Sequence, residues 1–184
     1  MQQHGPWKTI KSETKHESAW IKIDAHDVIN PAGKPGHYST VHFKNIAIGI
    51  IPLDNEYNTW IVGQYRYPLK EYHWEIPEGG GKLDVEPIES AKRELSEEVG
   101  LKANNWQEIL TMHLSNSASD EKAIIYLATN LTLGESHPDE DEELTIKKLP
   151  FKEVYNMVLD GEITDAMSVA AILKTHILIK EGSI

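Results

Sequence analysis

Glutamates crowd one stretch of the chain, EPIESAKRELSEEVGL at residues 86–101, whose pattern predicts a helix. A helical wheel places Glu94, Glu97 and Glu98 together on one edge of the apolar stripe. That stripe consists of Ile88, Ala91, Leu95 and Val99. Because like charges at these spacings repel, the cluster needs a counter-charge, which a divalent cation supplies. Carboxylate oxygens favour Mg²⁺ or Mn²⁺ as the bound cation. The alternative to a metal site is an ordinary acidic surface that faces solvent.

A glycine-rich segment, IPEGGGKLDVE at residues 76–86, leads into this helix. The pattern predicts a loop, because glycine lets the backbone take unusual dihedral angles and approach a ligand closely. On its own, such a segment is more often a simple turn. Its position directly before the acidic helix favours a ligand-binding role.

The elements around this loop and helix define the fold class. β-Branched residues in partial alternation predict strands within residues 7–29 and 37–53, and further strands in WIVGQYRYP, HWEIP, EKAIIYLATNL and LTIKKLP. The tail predicts two amphipathic helices separated by Gly161, the second capped by Thr164 or Asp165. This order predicts an α+β fold, an α/β/α sandwich with a mixed sheet and an additional antiparallel strand region at the N-terminus.

Composition limits the functional class. The chain has 184 residues, a formal net charge of -11 and no cysteine. The negative charge argues against binding to nucleic acid or to an anionic membrane, and a thiolate zinc site is excluded. With neither a signal-peptide pattern nor a long apolar run, the chain is expected to be cytoplasmic.

The helix and its approach resemble the Nudix family, whose box is written G-x5-E-x7-R-E-U-x-E-E-x-G-U with U apolar. The second half of the box is matched by Arg93, Glu94, Leu95, Glu97, Glu98, Gly100 and Leu101. Gly79 falls at the box glycine, but Val85 stands where the first glutamate belongs and Glu86 is one residue out of register. The departure concerns the metal geometry more than the family.

The resemblance implies a metal site on this helix. Glu94 and Glu98 are expected to bind Mg²⁺, with Mn²⁺ as an alternative, and Glu97 is expected to join them. The backbone carbonyl of Glu78 adds a further oxygen. Arg93 is expected to brace the acids, although an ordinary pair with Glu97 at i,i+4 explains it as well.

Outside the box, the chain is similar to the ADP-ribose and nucleotide-sugar pyrophosphatase branch. The motif QYR.P appears from Gln64 to Pro68, and the box entry E-[IL]-P-x-G begins at Glu75. Arg66 is a candidate for binding the diphosphate or the acid cluster, and an ordinary surface arginine is the alternative. Glu75 is a candidate for binding metal or ribose, and a salt bridge to Arg66 is the equal alternative.

Downstream of the box, the segment SNSASDE corresponds to the P-G-x-S-x-E stretch of ADP-ribose hydrolases. It keeps Ser119 and Glu121 as candidate substrate contacts but has Asn116 and Ser117 at the Pro-Gly positions. This departure weakens the assignment to ADP-ribose and leaves nucleoside diphosphate sugars in general.

Aromatic residues lie close in sequence to Arg66 and Glu75. Their rings are candidates to stack on the base, although strand aromatics more often pack in a core or an interface. Tyr65 and Trp74 are the first choices within the set Tyr65, Tyr67, Tyr72 and Trp74.

In this branch the general base lies outside the box, on a loop before the last strand. The matching segment is ESHPDEDEEL, in which Glu142 is slightly favoured over Glu140 because it lies closer to the strand LTIKKL. Most acids of this loop are expected to be plain solvated residues. If neither residue is the base, Glu97 is the next candidate.

These observations predict an Mg²⁺-dependent enzyme that hydrolyses nucleoside diphosphate sugars to a nucleoside monophosphate and a sugar 1-phosphate. A non-catalytic regulator that binds a nucleotide sugar is the alternative from another class, and a housecleaning nucleoside triphosphatase fits less well. Residues 1–43 are expected to form a β region and 44–184 the hydrolase domain. The N-terminal strands carry an apolar face, so a homodimer through this region is expected, with local folding onto the same chain as the alternative.

Overall fold

The computed structural model describes residues 2–134 and 143–184, which form two compact units. The first unit comprises Met1–Asn45 and His113–Lys122, and the second Ile46–Met112 and Ala123–Ile184, each as far as the structure describes it. The strands are β1 Gln2–His4, β2 Trp7–Glu17, β3 Ile21–Ile29, β4 Pro35–Phe43, β5 Asn45–Pro52, β6 Asn58–Arg66, β7 Glu71–Glu75, β8 Glu78–Lys82, β9 Leu101–His113, β10 Lys122–Leu133 and β11 Thr145–Pro150. The helices are α1 Pro87–Val99, α2 Phe151–Leu159 and α3 Ala166–Lys180.

The first unit contains an antiparallel sheet in the order β1-β2-β3-β4. A tight turn at Ser18 joins β2 to β3, where the Ser18 amide donates to the Ile21 carbonyl at 2.9 Å. A turn with Gly33 at φ 77° joins β3 to β4, a conformation that favours glycine. The predicted N-terminal antiparallel region is therefore confirmed.

The second unit contains two sheets and the three helices. One sheet has the order β8-β5-β10-β9, in which β5 and β10 run parallel, and the other has the order β11-β6-β7 with antiparallel pairs. The parallel pair is buried along its length, as expected for strands covered on both faces. A mixed sheet in an α+β fold is thus confirmed.

Helix α1 packs its apolar stripe into the core of this unit. Ala91, Leu95 and Val99 are buried against residues of β5, β6 and β10, whereas Ile88 is only partly buried at the rim. Pro87 starts the helix, and Gly100 ends it in the left-handed conformation at φ 66°. The helix therefore has fixed ends and a fixed rotation, which determines where its glutamates point.

The tail forms the two predicted helices. Of the two proposed caps for α3, the structure selects Asp165, whose side chain accepts a hydrogen bond from the Ser168 amide at 2.7 Å. No helix among the described residues is long and apolar enough to cross a membrane.

The structure differs from the sequence analysis at two places around the acidic helix. The glycine-rich segment is the strand β8, and none of its three glycines has a positive φ. The long strand β9, directly after the helix, was not predicted, because its sequence LKANNWQEILTMH alternates poorly and is mostly polar.

Candidate active site

The acidic arc of α1 faces the protein interior. Glu94 is 8% exposed and Glu98 is 2% exposed, one helical turn apart. The Glu97 side chain lies at the margin with 34% exposure. Since buried carboxylates require compensating partners, this arc is not the solvent-facing acidic surface that was the alternative.

Gly79 makes room for the Glu94 carboxyl group. A Cβ atom added at Gly79 would overlap the carboxyl atoms of Glu94, so a side chain at this position forces the glutamate to move. The segment therefore uses glycine for close approach and not for unusual dihedral angles. Strand β8 and helix α1 are held together at this point.

Glu98 is held from the other side by the same strand. Its Oε2 atom accepts a hydrogen bond from the Glu78 backbone amide at 2.9 Å. A hydrogen bond from a backbone amide to a carboxylate is charge-assisted and orients the acid. The amide of Glu78 thus lies next to Glu98, while the role of its carbonyl as a metal ligand stays a prediction.

Arg93 connects two of the acids to β8. Its guanidinium donates to Glu97 Oε2 and Glu94 Oε1, both at 2.6 Å, and to the Gly80 carbonyl at 3.0 Å. Burial lowers the pKa of Arg93, but Glu94 and Glu97 outweigh burial and raise the pKa overall. The geometry combines both sequence-based interpretations, a brace for the acids and an i,i+4 pair.

Arg66 is a second positively charged side chain of this site, connected to the acids of α1 through Glu78. Its Nε atom lies 2.9 Å and 3.0 Å from the two carboxylate oxygens of Glu75, and its Nη2 atom lies 2.5 Å from Glu75 Oε2. The same Nη2 atom donates to Glu78 Oε1 at 3.0 Å. Since its side chain is 36% exposed and twice paired, Arg66 is no ordinary surface arginine, and the Glu75 salt bridge is present.

The Glu78 side chain is a buried acid that the sequence reasoning considered only for its backbone. Its Oε2 atom is buried and has no hydrogen-bond partner among the described residues. Burial, followed by the charges of Asp165 and Glu75, raises the pKa of Glu78 well above its usual value, while Arg66 lowers it. Glu78 therefore lies among several acids with one guanidinium directly attached.

The first turn of α3 supports this region from below. The Ser168 hydroxyl is fully buried and accepts the Ile76 amide at 3.0 Å. The Thr164 hydroxyl oxygen lies 3.3 Å from the Nδ1 atom of His73, which belongs to β7. Burial lowers the pKa of Arg66, but Glu75 and Glu78 outweigh burial and raise it, and the charge of Asp165 adds a smaller contribution in the same direction. The same Asp165 charge helps to raise the pKa of the buried Glu78 carboxyl. Sequence reasoning identified Asp165 as a cap but gave no signal that its charge acts on this site.

Aromatic candidates surround the β6–β7 hairpin. Tyr65 is 59% exposed and Tyr72 is 49% exposed. Trp74 is partly buried, with Tyr72 edge-on at 5.6 Å and the Lys147 ammonium 3.9 Å from its ring centroid. Trp74 is therefore engaged within the sheet, whereas Tyr65 offers an open ring face.

The remaining candidates lie elsewhere. Ser119 and Glu121 belong to the first compact unit, where the Ser119 hydroxyl donates to the Ser115 carbonyl at 3.2 Å. Glu140 and Glu142 lie outside the described residues. Glu86 is exposed at the N-cap of α1 and makes no capping hydrogen bond with its side chain.

Contacts thus join the arginine and glutamate candidates that the structure describes in the second unit into one network. It runs from Arg93 through Glu94 and Gly79 to Glu98, and through Glu78 to Arg66 and Glu75. Among the described residues, no three His, Asp or Glu side chains already converge on a metal-holding position.

Known families match both parts of the chain. The NUDIX domain family matches residues 43–170, and the nucleoside diphosphate sugar hydrolase N-terminal domain matches residues 7–41. The two matches together cover most of the chain.

Individual proteins are similar over nearly their whole length. An ADP-ribose pyrophosphatase of Mycobacterium tuberculosis is 36% identical, with 92% of this chain and 83% of that protein covered. An ADP-ribose pyrophosphatase of Bacillus subtilis and a methanol dehydrogenase activator of Bacillus methanolicus are each 30% identical over 90% of both chains. A crystal structure of an ADP compounds hydrolase matches all of both chains with a TM-score of 0.87 at 21% identity, which shows a shared fold.

Proposed function

Because the chain belongs to the Nudix hydrolase family, we propose that it hydrolyses the pyrophosphate bond of nucleoside diphosphate sugars in an Mg²⁺-dependent reaction. The products are a nucleoside monophosphate and a sugar phosphate. The observation that carries the proposal is the pair of buried carboxylates, Glu94 and Glu98, oriented by Gly79 and the Glu78 amide. ADP-ribose is included among the substrates because two similar proteins are ADP-ribose pyrophosphatases.

The donor set fits a hard divalent cation. Glu94 and Glu98 would hold Mg²⁺ with Glu97 and the Glu78 carbonyl, since all four supply oxygen, and Mn²⁺ has similar ligand preferences. The cation supplies Lewis-acid polarisation of the phosphate oxygens when bound. Arg93 keeps Glu94 and Glu97 in place and limits their repulsion.

Arg66 is the proposed contact for the diphosphate. A planar guanidinium can bind two phosphate oxygens at once, and the Arg66 side chain is 36% exposed. Glu75, at 3% exposure, fixes the orientation of Arg66 from behind. The open ring of Tyr65 is proposed to stack on the base, with Trp74 supporting the hairpin, and Ser119 and Glu121 are proposed to contact the sugar.

The base that takes a proton from the attacking water is proposed to be Glu142, with Glu140 as the neighbouring choice. Replacing the base by glutamine is expected to lower kcat strongly with little change in KM, because the interaction acts mainly in the transition state. Equal, near-normal rates in the Glu142→Gln and Glu140→Gln variants would transfer the role to Glu97.

A regulator without turnover is the second candidate. One similar protein is a methanol dehydrogenase activator, and the box glutamate is displaced to Glu86 in this chain. The burial and hydrogen bonding of Glu94 and Glu98 favour the enzyme. We further propose that the protein is a cytoplasmic homodimer assembled through the N-terminal region.

A panel of nucleotide sugars tests the proposal. ADP-ribose and UDP-, GDP- and ADP-linked hexoses are incubated with the protein and Mg²⁺, and the products are resolved by chromatography. A nucleoside monophosphate together with a sugar phosphate is the expected result for at least one substrate. Tight binding of a nucleotide sugar without any product would favour the regulator.

A further inference from the structure

A continuous chain of hydrogen bonds crosses one face of the N-terminal sheet. Ser12 Oγ lies 2.8 Å from His26 Nδ1, and His26 Nε2 lies 2.8 Å from Thr40 Oγ1. Thr40 Oγ1 lies 3.0 Å from His42 Nε2, and His42 Nδ1 lies 2.7 Å from Asp120 Oδ2. This series of hydrogen bonds therefore starts on β2, crosses β3 and β4, and ends in the segment Leu114–Glu121 that follows β9.

The donors and acceptors available to these side chains allow a single arrangement of protons along the series of hydrogen bonds. Burial raises the pKa of Asp120, but the hydrogen bonds from His42 and the Phe43 amide outweigh burial and lower it. An ionised Asp120 only accepts, so the proton of a neutral His42 ring lies on Nδ1 and Nε2 accepts from Thr40. Thr40 then accepts from His26 Nε2, and Ser12 donates to His26 Nδ1. Every member of the chain is satisfied in this arrangement.

The Asp120 carboxylate joins this chain to the backbone of β4. Its Oδ1 atom accepts the Phe43 amide at 2.9 Å, while its Oδ2 atom is bonded to His42. Two backbone bonds run alongside, from the Val41 amide to the Ala118 carbonyl at 2.9 Å and from the Asp120 amide to the Val41 carbonyl at 3.2 Å. The Tyr38 hydroxyl also donates to the Ser117 carbonyl. The segment is thus tied to β4 at both side-chain and backbone level.

Charged groups on β3 limit how His42 can turn. Asp24 Oδ2 lies 3.6 Å from His42 Nε2, and Lys22 pairs with the same Asp24 atom at 2.7 Å. Asp24 is 7% exposed and also accepts the Thr14 hydroxyl at 2.7 Å. The ring therefore lies between Asp120 on one side and Thr40 on the other, with the Asp24 carboxylate near the Thr40 side.

We propose that His42 is a positioning residue that holds the segment Leu114–Glu121 through Asp120 and so orients Ser119 and Glu121 for the sugar of the substrate. The proposal rests on the proposed function for its kinetic part. Ser119 and Glu121 would contact the substrate in the ground state and in the transition state alike. Loss of His42 then weakens binding more than the chemical step, so KM rises and kcat changes little.

Substitutions that mimic one ring nitrogen each make a sharp test. The side-chain amide of asparagine can replace Nδ1 as the donor to Asp120, whereas that of glutamine extends to the position of Nε2 near Thr40. His42→Asn is therefore expected to preserve the contact that matters, and His42→Ala and His42→Gln to lose it. The matched control is His37→Ala, because His37 on the same strand pairs with Asp27 at 2.8 Å but lies on the exposed surface.

Two measurements are made on each full-length variant. Hydrogen–deuterium exchange of the peptide that contains residues 114–121 reports whether the segment is held, and steady-state kinetics report KM and kcat. For His42→Ala we expect faster exchange in this peptide and a KM about tenfold higher, with kcat within about twofold. His42→Asn is expected to restore both within about twofold, and His37→Ala to change neither.

Three outcomes overturn the proposal. They are unchanged exchange and KM in His42→Ala, equal rescue by His42→Gln and His42→Asn, and an equal effect of His37→Ala. If no nucleotide sugar is hydrolysed by the wild-type protein, the proposed function fails, and the exchange comparison alone then decides whether His42 holds the segment.

Discussion

Glu98 combines deep burial with a specific hydrogen bond, which is unusual for an acid without function. At 2% exposure its carboxylate is removed from bulk water, and its Oε2 atom accepts a hydrogen bond from the Glu78 amide. Together with its place one helical turn from Glu94, this supports the proposed role of Glu98 as a metal ligand.

The Glu98→Gln variant tests this assignment. Glutamine keeps an oxygen that accepts from the Glu78 amide, so the melting temperature should stay close to that of the wild type. Removing the ligand charge is expected to lower kcat/KM by at least about 100-fold, because a metal contributes several kcal/mol to transition-state stabilisation. Steady-state kinetics and thermal unfolding measure the two effects.

The matched control is Glu89→Gln on the same helix. Glu89 is exposed and pairs with Lys92 at 2.7 Å, so its loss should leave activity unchanged. Activity of Glu98→Gln within a few-fold of the wild type would contradict the metal assignment.

The sequence correctly places the acids on one edge of the apolar stripe of α1, for a physical reason. Arg93, Glu94, Glu97 and Glu98 lie on one helix, whose period fixes their relative directions. The salt bridge from Glu75 to Arg66 was one of the two sequence-based alternatives, and the pairing of β6 with β7 brings their strands together. The Glu78 side chain was harder to foresee as a partner of Arg66, because it lies on a third strand, β8. The charge of Asp165 acts on Arg66 and Glu78 from a distant part of the sequence, which no local pattern encodes.

At the scale of elements, the first turn of α3 supports the chain between β7 and β8. The fully buried Ser168 hydroxyl accepts a hydrogen bond from the Ile76 amide. Ile76 lies between Glu75 and Glu78 in the sequence. In the Ser168→Ala variant this amide loses its partner, which is expected to cost about 1–3 kcal/mol of stability. We also expect a lower kcat/KM, because Glu75 and Glu78 lose part of their support.

Thr175 on the same helix provides the matched control for Ser168. It is also fully buried, but its hydroxyl has no hydrogen-bond partner among the described residues. Thr175→Val keeps the shape and should be neutral or slightly stabilising, with unchanged kinetics. Equal losses of stability and activity in both variants would show that the Ile76 hydrogen bond has no special role.

The turn between β5 and β6 contains an acid with a strongly shifted pKa. Burial raises the pKa of Asp54, but hydrogen bonds from Lys148, Asn58 and the Glu56 amide outweigh it and lower the pKa from 3.8 to about 2. Because the folded-state pKa is depressed, the stabilisation is present above pH 4 and is lost as the pH falls towards 2. The loss amounts to at most about 2 kcal/mol.

Denaturant unfolding between pH 5 and pH 2 measures this loss. The Asp54→Asn variant cannot take up the proton, so its stability is expected to fall less steeply over this range than that of the wild type. The same pH dependence in both proteins would contradict the role of Asp54.

Helices and strands could be predicted where the local sequence shows a clear periodicity of apolar residues. The tail helices and the strongly apolar strand β10 were predicted because their periodicity is clear. The glycines of β8 predict a loop because glycine has no side chain to alternate, whereas in the fold they form a strand paired with β5, where Gly79 leaves room for the Glu94 carboxyl group. Strand β9 is polar along much of its length and is held by pairing with β10.

For the whole molecule, the family assignment made from the box residues is confirmed by the matches over residues 7–41 and 43–170. The proposed homodimer remains a prediction. In the first unit, Trp20 is 70% exposed and Ile10 is 48% exposed, and contact with a second copy would remove such apolar surface from water.

Light scattering coupled to size exclusion at micromolar concentration tests the dimer. The full chain is expected to elute with twice its 20.8 kDa mass, and deletion of residues 1–40 is expected to abolish both the dimer and activity. A clean monomer mass with full activity would contradict the prediction.

The central claim is that the buried acids of α1 support metal-dependent cleavage of a nucleotide sugar. The most direct measurement follows nucleoside monophosphate and sugar phosphate formed by the wild type and by Glu98→Gln, each with Mg²⁺ and with a chelator. If Glu98 binds the metal, both products form from the wild type with Mg²⁺ only, and almost none forms from the variant. Equal product formation in the chelator or in the variant, or no product from any nucleotide sugar, would contradict it.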